Sequence, residues 1–351
     1  MTKKIKSLKI NKKWIGANKP CYIIAEIGSN FDGDINLAKK LIKKAKDSGA
    51  DAAKFQSFKT EEILSKKGFE RKVSFQSNWK KSVWDVYRDA ELPIEWIEKL
   101  NKFSKTCGIQ FLSAPYHKDA VDELIKQNVP AIKIGSGEIS NLKFLRYIGK
   151  TKKPIFLATG ASTEKEIDLA VKTILKTGNN KIVLMQATTQ YPSPIEDTNL
   201  RVITMLKNRF HLNVGYSDHT PGDTAVLGSI VLGSCVVEKH FTLDRSLNGP
   251  DHPHSLDPTE FKDMVKKIRD MELALGSSKK QIEKSEKQTK IIQRRGIWTI
   301  KPIKKGQKFS KSNIVTLRPC LGSPASDFSK FLGNIAKRNY NEYSILKNSD
   351  L

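Results

Sequence analysis

The feature that most restricts the fold of this chain is a rhythm. Over its first two-thirds, short β-rich runs alternate with stretches whose apolar residues recur at helical spacing. "CYIIAEI" (21–27) leads into "INLAKKLIKKAKDSG", and "ADAAKFQSF" leads, after an insertion at about 57–92, into "PIEWIEKLNKFSKTCG". "IQFLSAP", "VPAIKIGSG", "PIFLATG", "KIVLMQATT", "HLNVGYSDH" and "SCVVEKH" each precede a further helical pattern, the last ending near Gly276. Eight such units predict a parallel sheet, closed as a (β/α)8 TIM barrel rather than an open doubly wound sheet. Residues 1–20 form an N-terminal extension and the barrel spans 21–276. The polar run "SSKKQIEKSEKQTK" then reads as a linker over 277–288. Residues 289–351 alternate short β patches with Gly turns, which predicts a small, mostly β module.

Composition narrows the class. With 38% hydrophobic and 28% charged residues the chain is globular rather than disordered. No apolar run approaches the ~20 residues a membrane span needs, so no membrane association is expected. The start, "MTKKIKSLKINKKWIG", is basic but lacks the apolar stretch of a signal peptide. Cys21, Cys107, Cys235 and Cys320 are scattered and form no CxxC pair, which favours a reducing, cytoplasmic setting. The formal charge of +25 is mostly Lys, spread along the chain with few aromatics interleaved. That pattern describes a solvated surface first and attraction of anionic substrates second, and no nucleic-acid partner is expected.

In a (β/α)8 barrel the chemistry lies at the C-terminal ends of the strands. The first strand ends in Glu26 and the second carries Lys54 and Gln56. The fourth ends in Lys133 followed by "GSGE", with Ser136 and Glu138. The fifth ends at Thr159, and the sixth at Thr188, Thr189 and Tyr191. The seventh ends in Ser217, Asp218 and His219, and the eighth in Glu238, Lys239 and His240. A lone Lys at a strand end is more often a solvated terminus. Two of them beside a Gly-rich loop point instead to an anion. His219 and His240 end consecutive strands, ~5 Å apart, and can converge on one cation with positions left open for substrate. "DHPHSL" offers a rival pair, His252 and His254, ranked second because it lies beyond the last strand. Glu26 opposite a metal and two lysines suits an acid/base or orienting role. These residues describe a metal-assisted barrel enzyme for a phosphorylated small molecule and leave the reaction open.

"IAEIGSN", "AKFQ", "IKIGSGE", "ATG", "YPSP", "GYSDHT" and "EKHFTLDR…GPDH", in this order, resemble the N-acetylneuraminate (sialic acid) synthase family. The tail "RRGIWTIKPIKKGQKFSKSNIVTLRP" looks like the antifreeze-like (SAF) domain of that family, so the resemblance covers about 20–351. It implies condensation of phosphoenolpyruvate with an N-acetylmannosamine-type sugar, giving a nonulosonic acid and phosphate. It implies a divalent metal, typically Mn²⁺ with Mg²⁺ or Co²⁺ as alternatives, on His219 and His240. Lys54, Lys133, Ser136 and Ser217 would bind phosphoenolpyruvate, and Glu26, Gln56, Glu138, Tyr191 and Asp251 would face the sugar or the attacking water. Glu26, Lys54, Lys133 and Glu138 are the catalytic candidates, and Thr159 and Thr189 join the substrate-binding set. Arg318, in "LRP", would reach the sugar N-acyl group from the partner subunit of a domain-swapped homodimer.

Two departures bear on the acceptor. Ala114, in "FLSAP", stands where many members place a hydroxyl in a phosphate-facing turn. Thr189 stands where the N-acetylneuraminate enzymes often have Asn. Legionaminic and pseudaminic acid synthases, which use 2,4-diacetamido-6-deoxyhexoses, share the scaffold and are the alternative reading. A phosphorylated-acceptor synthase is disfavoured by the tail of roughly 60 residues. A non-catalytic glycan- or ice-binding protein leaves the lysines and histidines at the strand ends unexplained.

Overall fold

Period-2 alternation decides how this barrel is built. The computed structural model describes residues 5–72, 76–77 and 79–351. A short hairpin, β1 (Leu8–Ile10) and β2 (Lys13–Ile15), comes first. The strands β3 (Tyr22–Gly28), β4 (Ala52–Ser57), β5 (Gln110–Pro115) and β6 (Ile132–Ile134) follow. Then come β7 (Ile155–Ala158), β8 (Ile182–Ala187), β9 (Asn213–Asp218) and β10 (Val236–His240). These last eight are parallel and hydrogen-bond in the order β5-β4-β3-β10-β9-β8-β7-β6, so the last strand pairs with the first of the set. β5 and β6, at the two ends of that order, still pack side by side. The result is a nearly closed (β/α)8 barrel, as the rhythm predicts.

Successive side chains point to opposite faces of a strand. Tyr22, Ile24, Ala52, Leu112, Phe156, Val183, Met185 and Val236 point inward and fill the lower half of the barrel. Ile10 and Ile15 of the hairpin pack into this same cluster. The N-terminal extension therefore closes the lower end of the barrel, a role its basic sequence does not announce. The alternate residues, among them Ile23, Ala53, Phe111, Leu157 and Val237, face the helices and join the large outer core.

An α-helix follows each of the eight barrel strands, with local signals at its ends. The helix Glu164–Leu175 opens on a Thr163/Glu166 capping box, and Pro258–Leu275 opens on Asp257/Glu260 with Pro258 in its first turn. Ile94–Cys107 stops at Gly108, whose φ of +69° suits a residue without a β-carbon. The insertion after β4 contains short helices at Thr60–Ile63 and Val83–Asp89.

The chain separates into two compact units, Met1–Gly276 and Ser277–Leu351. The second holds a helix at Glu286–Gln293, partly within the stretch that composition assigns to a linker. It also holds the antiparallel pair β11 (Gly296–Thr299) and β12 (Ile314–Leu317). A small core of its own gathers Ile297, Ile303, Phe309, Ile314, Phe331, Tyr340 and Leu346. No helix among the described residues is long and apolar enough to cross a membrane.

Candidate active site

The inward positions continue upward from the apolar layer, and there they turn polar. Glu26 follows Ile24 on β3, Lys54 and Gln56 follow Ala52 on β4, and Glu238 and His240 follow Val236 on β10. They open into a cavity of about 1580 Å³, also lined by Lys133, Ser136, Glu138, Thr189, Tyr191, Ser217, His219 and Asp251. Nearly all the sequence-predicted barrel residues thus meet in one space at the C-terminal ends of the strands.

Its floor is a chain of buried charges. Lys54 Nζ lies 2.7 Å from Glu26 and 3.8 Å from Glu238, and Lys133 Nζ lies 2.7 Å from Glu238. Gln56 Nε2 donates to Glu26 (2.8 Å) and Ser217 Oγ donates to Glu238 (3.0 Å). Burial alone raises the Glu238 carboxyl, but Lys133 and Lys54 more than reverse that and hold it ionised. Burial lifts the Glu26 carboxyl above its ordinary value despite Lys54. Burial also works against Lys54, yet Glu238 and Glu26 keep it above the ordinary lysine value, whereas Lys133 is held below it. Glu238 is the hub that fixes both ammonium groups. The sequence reading places it at a strand end without a role, although its i, i+2 relation to His240 puts both on one face.

Imidazoles form the opposite side. His219 Nδ1 donates to the Thr188 carbonyl (2.7 Å), which leaves Nε2 as the acceptor nitrogen of the ring. The His219 and His240 rings lie 5.6 Å apart, and His240 and His254 only 4.7 Å. Tyr191 meets all three at tilted or edge-on angles, at 4.3 Å from His219, 6.0 Å from His240 and 5.4 Å from His254. Burial depresses all three imidazoles, His219 to about 4, so each is neutral at physiological pH. His240, Asp251 and His254 offer ligand atoms within 4.8 Å of one another. Asp251 is held by the backbone N–H and the hydroxyl of Ser29.

The rival pair divides. His254 joins the imidazole group, whereas His252 is fully buried and bound to Thr242 Oγ1 (2.6 Å) and Asp32 (3.1 Å). Three other expectations change. Lys239 does not reach the cavity, because strand parity turns it outward onto Asp218 (2.6 Å). Asp218 faces outward with it and also accepts from Tyr216 and Thr220. Thr159 turns its hydroxyl to the Met185 carbonyl (3.1 Å), and Ala158 lines the cavity in its place. Ser136 accepts from the Gly160 N–H (3.1 Å), and Glu138 accepts from Asn141 (3.1 Å) at the cavity edge. Arg318 lies in the C-terminal unit, immediately after β12.

Comparison with known proteins shows the family of the chain. Residues 41–280 match the NeuB family and residues 294–351 match the SAF domain. The chain is 42% identical over 334 residues to the N,N'-diacetyllegionaminic acid synthase of Campylobacter jejuni serotype O:2, covering 94% of this chain and 99% of that one. It is 34% identical to the pseudaminic acid synthase of Campylobacter jejuni serotype O:23/36, covering 95% and 97%. A solved relative is the N-acetylneuraminic acid (sialic acid) synthetase of Leptospira borgpetersenii in complex with citrate. It superposes with a TM-score of 0.73 at 29% identity, covering 81% of this chain and 95% of that one. A matching family model over most of the barrel, and relatives matched nearly end to end, place the chain in the NeuB family, with a SAF domain following the barrel in sequence.

Proposed function

We propose that this chain is a metal-dependent nonulosonic acid synthase, which joins phosphoenolpyruvate to the aldehyde of an N-acylated amino sugar and releases phosphate. The observation that carries the reading is one cavity with two chemically distinct sides: paired lysines fixed by Glu238, and neutral imidazoles with unused nitrogens. His240 Nδ1 and His254 Nε2 are buried without a hydrogen-bond partner among the described residues. Together with Asp251 they make a nitrogen-and-carboxylate set within 4.8 Å that fits a divalent ion such as Mn²⁺. His219, whose ring lies 5.6 Å from that of His240, would complete it with positions left for substrate oxygen. When bound, that ion would polarise the sugar aldehyde.

The remaining chemistry falls to the chain itself. Lys54, Lys133, Ser136 and Ser217 bind the carboxylate and phosphate of phosphoenolpyruvate, and Glu238 holds the lysines in place before substrate arrives. The new bond forms between the enol carbon and the aldehyde carbon. Water adds at the former enol C2, with Glu26 accepting its proton and passing it to the former aldehyde oxygen. The bond from C2 to the phosphate oxygen then breaks while the new C2 hydroxyl gives its proton to the departing phosphate, which leaves a ketone. Tyr191 and Asp251 orient the acceptor beside the imidazoles. Arg318, supplied by the partner of a domain-swapped homodimer, binds the N-acyl group. Co-expressing His240→Ala with Arg318→Ala would then restore about a quarter of the sites by two-fold symmetry.

For the acceptor, the 2,4-diacetamido-6-deoxyhexose is favoured over N-acetylmannosamine. The full-length likeness to a diacetyllegionaminic acid synthase supports it. So does the apolar wall of Phe58, Leu64 and Val86 on the same cavity, which suits extra methyl groups. Phosphate release from phosphoenolpyruvate, measured against the diacetamido sugar, N-acetylmannosamine and its 6-phosphate, tests the reading. Release with the first alone is expected; release with none of the three overturns the assignment.

A further inference from the structure

The two strands that flank Lys133 bring no hydroxyl to the anion side of the cavity. β5 and β7 flank β6, which carries Lys133, and each brings only a methyl group to the cavity, from Ala114 and Ala158. A polar group reaches this wall from just beyond β5 instead. Tyr116 extends the ladder by donating its N–H to the Ser57 carbonyl (3.0 Å), and its ring meets Phe58 edge-on at 5.9 Å and 89°. That packing aims the hydroxyl across the unpaired seam between β5 and β6.

There it sits over Gly135, the residue that opens the Ser136–Glu138 turn. A β-carbon at position 135 would lie 2.9 Å from Tyr116 Oη and 3.5 Å from its Cζ. Position 135 must therefore stay glycine for the hydroxyl to lie against the turn. Among the described residues Oη has no hydrogen-bond partner, although phenols on a half-buried ring ordinarily find one. Burial, reinforced by the neighbouring Tyr191, Tyr87, Glu26 and Glu138, holds the phenol protonated. What remains is a neutral donor over Gly135, in the cavity that Lys133 and Ser136 also line, with no acceptor among the described residues.

We propose that Tyr116 Oη donates a hydrogen bond to the phosphate of phosphoenolpyruvate, taking the place of the hydroxyl that position 114 does not provide. The inference rests on phosphoenolpyruvate being the substrate. It adds a residue to the anion site and makes the Ala114, Gly135 and Tyr116 positions interdependent.

Tyr116→Phe tests it, since the ring and its contact with Phe58 survive and only the donor is lost. With Mn²⁺ present and the sugar absent, phosphoenolpyruvate affinity measured by calorimetry should fall about tenfold or more, as for a lost hydrogen bond to a charged group. The KM for the sugar and the thermal midpoint should stay unchanged. Adding Ala114→Ser to Tyr116→Phe should recover part of the lost affinity, because it returns a hydroxyl to the same wall. Unchanged phosphoenolpyruvate affinity in Tyr116→Phe, or a rise confined to the KM for the sugar, overturns the inference while leaving the substrate reading intact. Failure of the unaltered protein to bind phosphoenolpyruvate at all removes the substrate reading and this inference with it.

Discussion

β10 carries two buried ionic systems back to back, and they differ in one respect. On its outer face Lys239 and Asp218 form an ion pair with side chains 1% and 0% exposed. Both Asp218 oxygens are engaged, by Tyr216, the Thr220 N–H and hydroxyl, and Lys239, which also donates to the Thr220 carbonyl. On the inner face Glu238 meets Lys133 and Lys54, just as deeply buried, but its Oε2 has no hydrogen-bond partner among the described residues. His240 Nδ1 and His254 Nε2 share that condition. Burial and charge do not distinguish scaffold from site here. Unspent hydrogen-bonding capacity does, because a finished network has nothing left to offer a ligand.

The largest expected effect tests the outer system. Lys239→Met leaves Asp218 charged and buried without its cation, which costs roughly 3–5 kcal/mol. In a chain of this size that corresponds to a fall in thermal midpoint of about 10 °C, by calorimetry. Activity per folded molecule should be nearly unchanged. The inner counterpart is Lys133→Ala, where Glu238 keeps Lys54 and Ser217 as partners. Its apparent affinity for phosphoenolpyruvate should weaken about tenfold to a hundredfold, since a charge-assisted contact is worth roughly 1.5–3 kcal/mol. Its thermal midpoint should move less than that of Lys239→Met. If the two variants exchange these phenotypes, the distinction between finished and unfinished networks fails.

The same contrast separates the histidines. His219→Ala and His240→Ala should each retain little Mn²⁺ after dialysis, with His254→Ala intermediate, by metal analysis of the folded protein. His252→Ala should keep its metal and lose about 1–2 kcal/mol of stability, because its ring nitrogens already bind Thr242 and Asp32. Metal loss confined to His252→Ala would place the ion elsewhere.

Much of this contrast is already legible in the sequence. The βα rhythm gives the barrel, and the barrel gives the end where polar residues gather. Strand parity is visible too, since Glu238 and His240 are two apart and Lys239 lies between them. What a run of letters does not state is which parity faces inward. That depends on Val236 packing beneath Glu238 in the lower core and on pairing of β10 with β3. Tyr116 is hidden for a stronger reason, because its hydroxyl meets Gly135 across a seam between strands that share no ladder. The hairpin at Leu8–Ile15 is masked by its lysines, with Ile10 and Ile15 forming its buried face and Leu8 partly buried beside them. His254 ranks second in sequence because loop paths are not fixed by periodicity.

The smallest expected effect falls on Thr159, where sequence and structure disagree most directly. By position at the end of a strand it reads as a substrate contact. In the fold its N–H and its hydroxyl both donate to the Met185 carbonyl, at 3.0 and 3.1 Å, and Ala158 is the residue that lines the cavity. Thr159→Val keeps the shape and removes only the hydroxyl. The Met185 carbonyl stays satisfied by the backbone N–H, so no buried acceptor is orphaned and the cost should be about 0.5–1 kcal/mol. That is a shift of roughly 1–4 °C in thermal midpoint for a chain this long. Both KM values should stay within error of the unaltered protein, since nothing facing the substrate has changed. A severalfold rise in either KM, with the midpoint unmoved, would mean that Thr159 serves the site and that β7 presents the opposite face to the cavity.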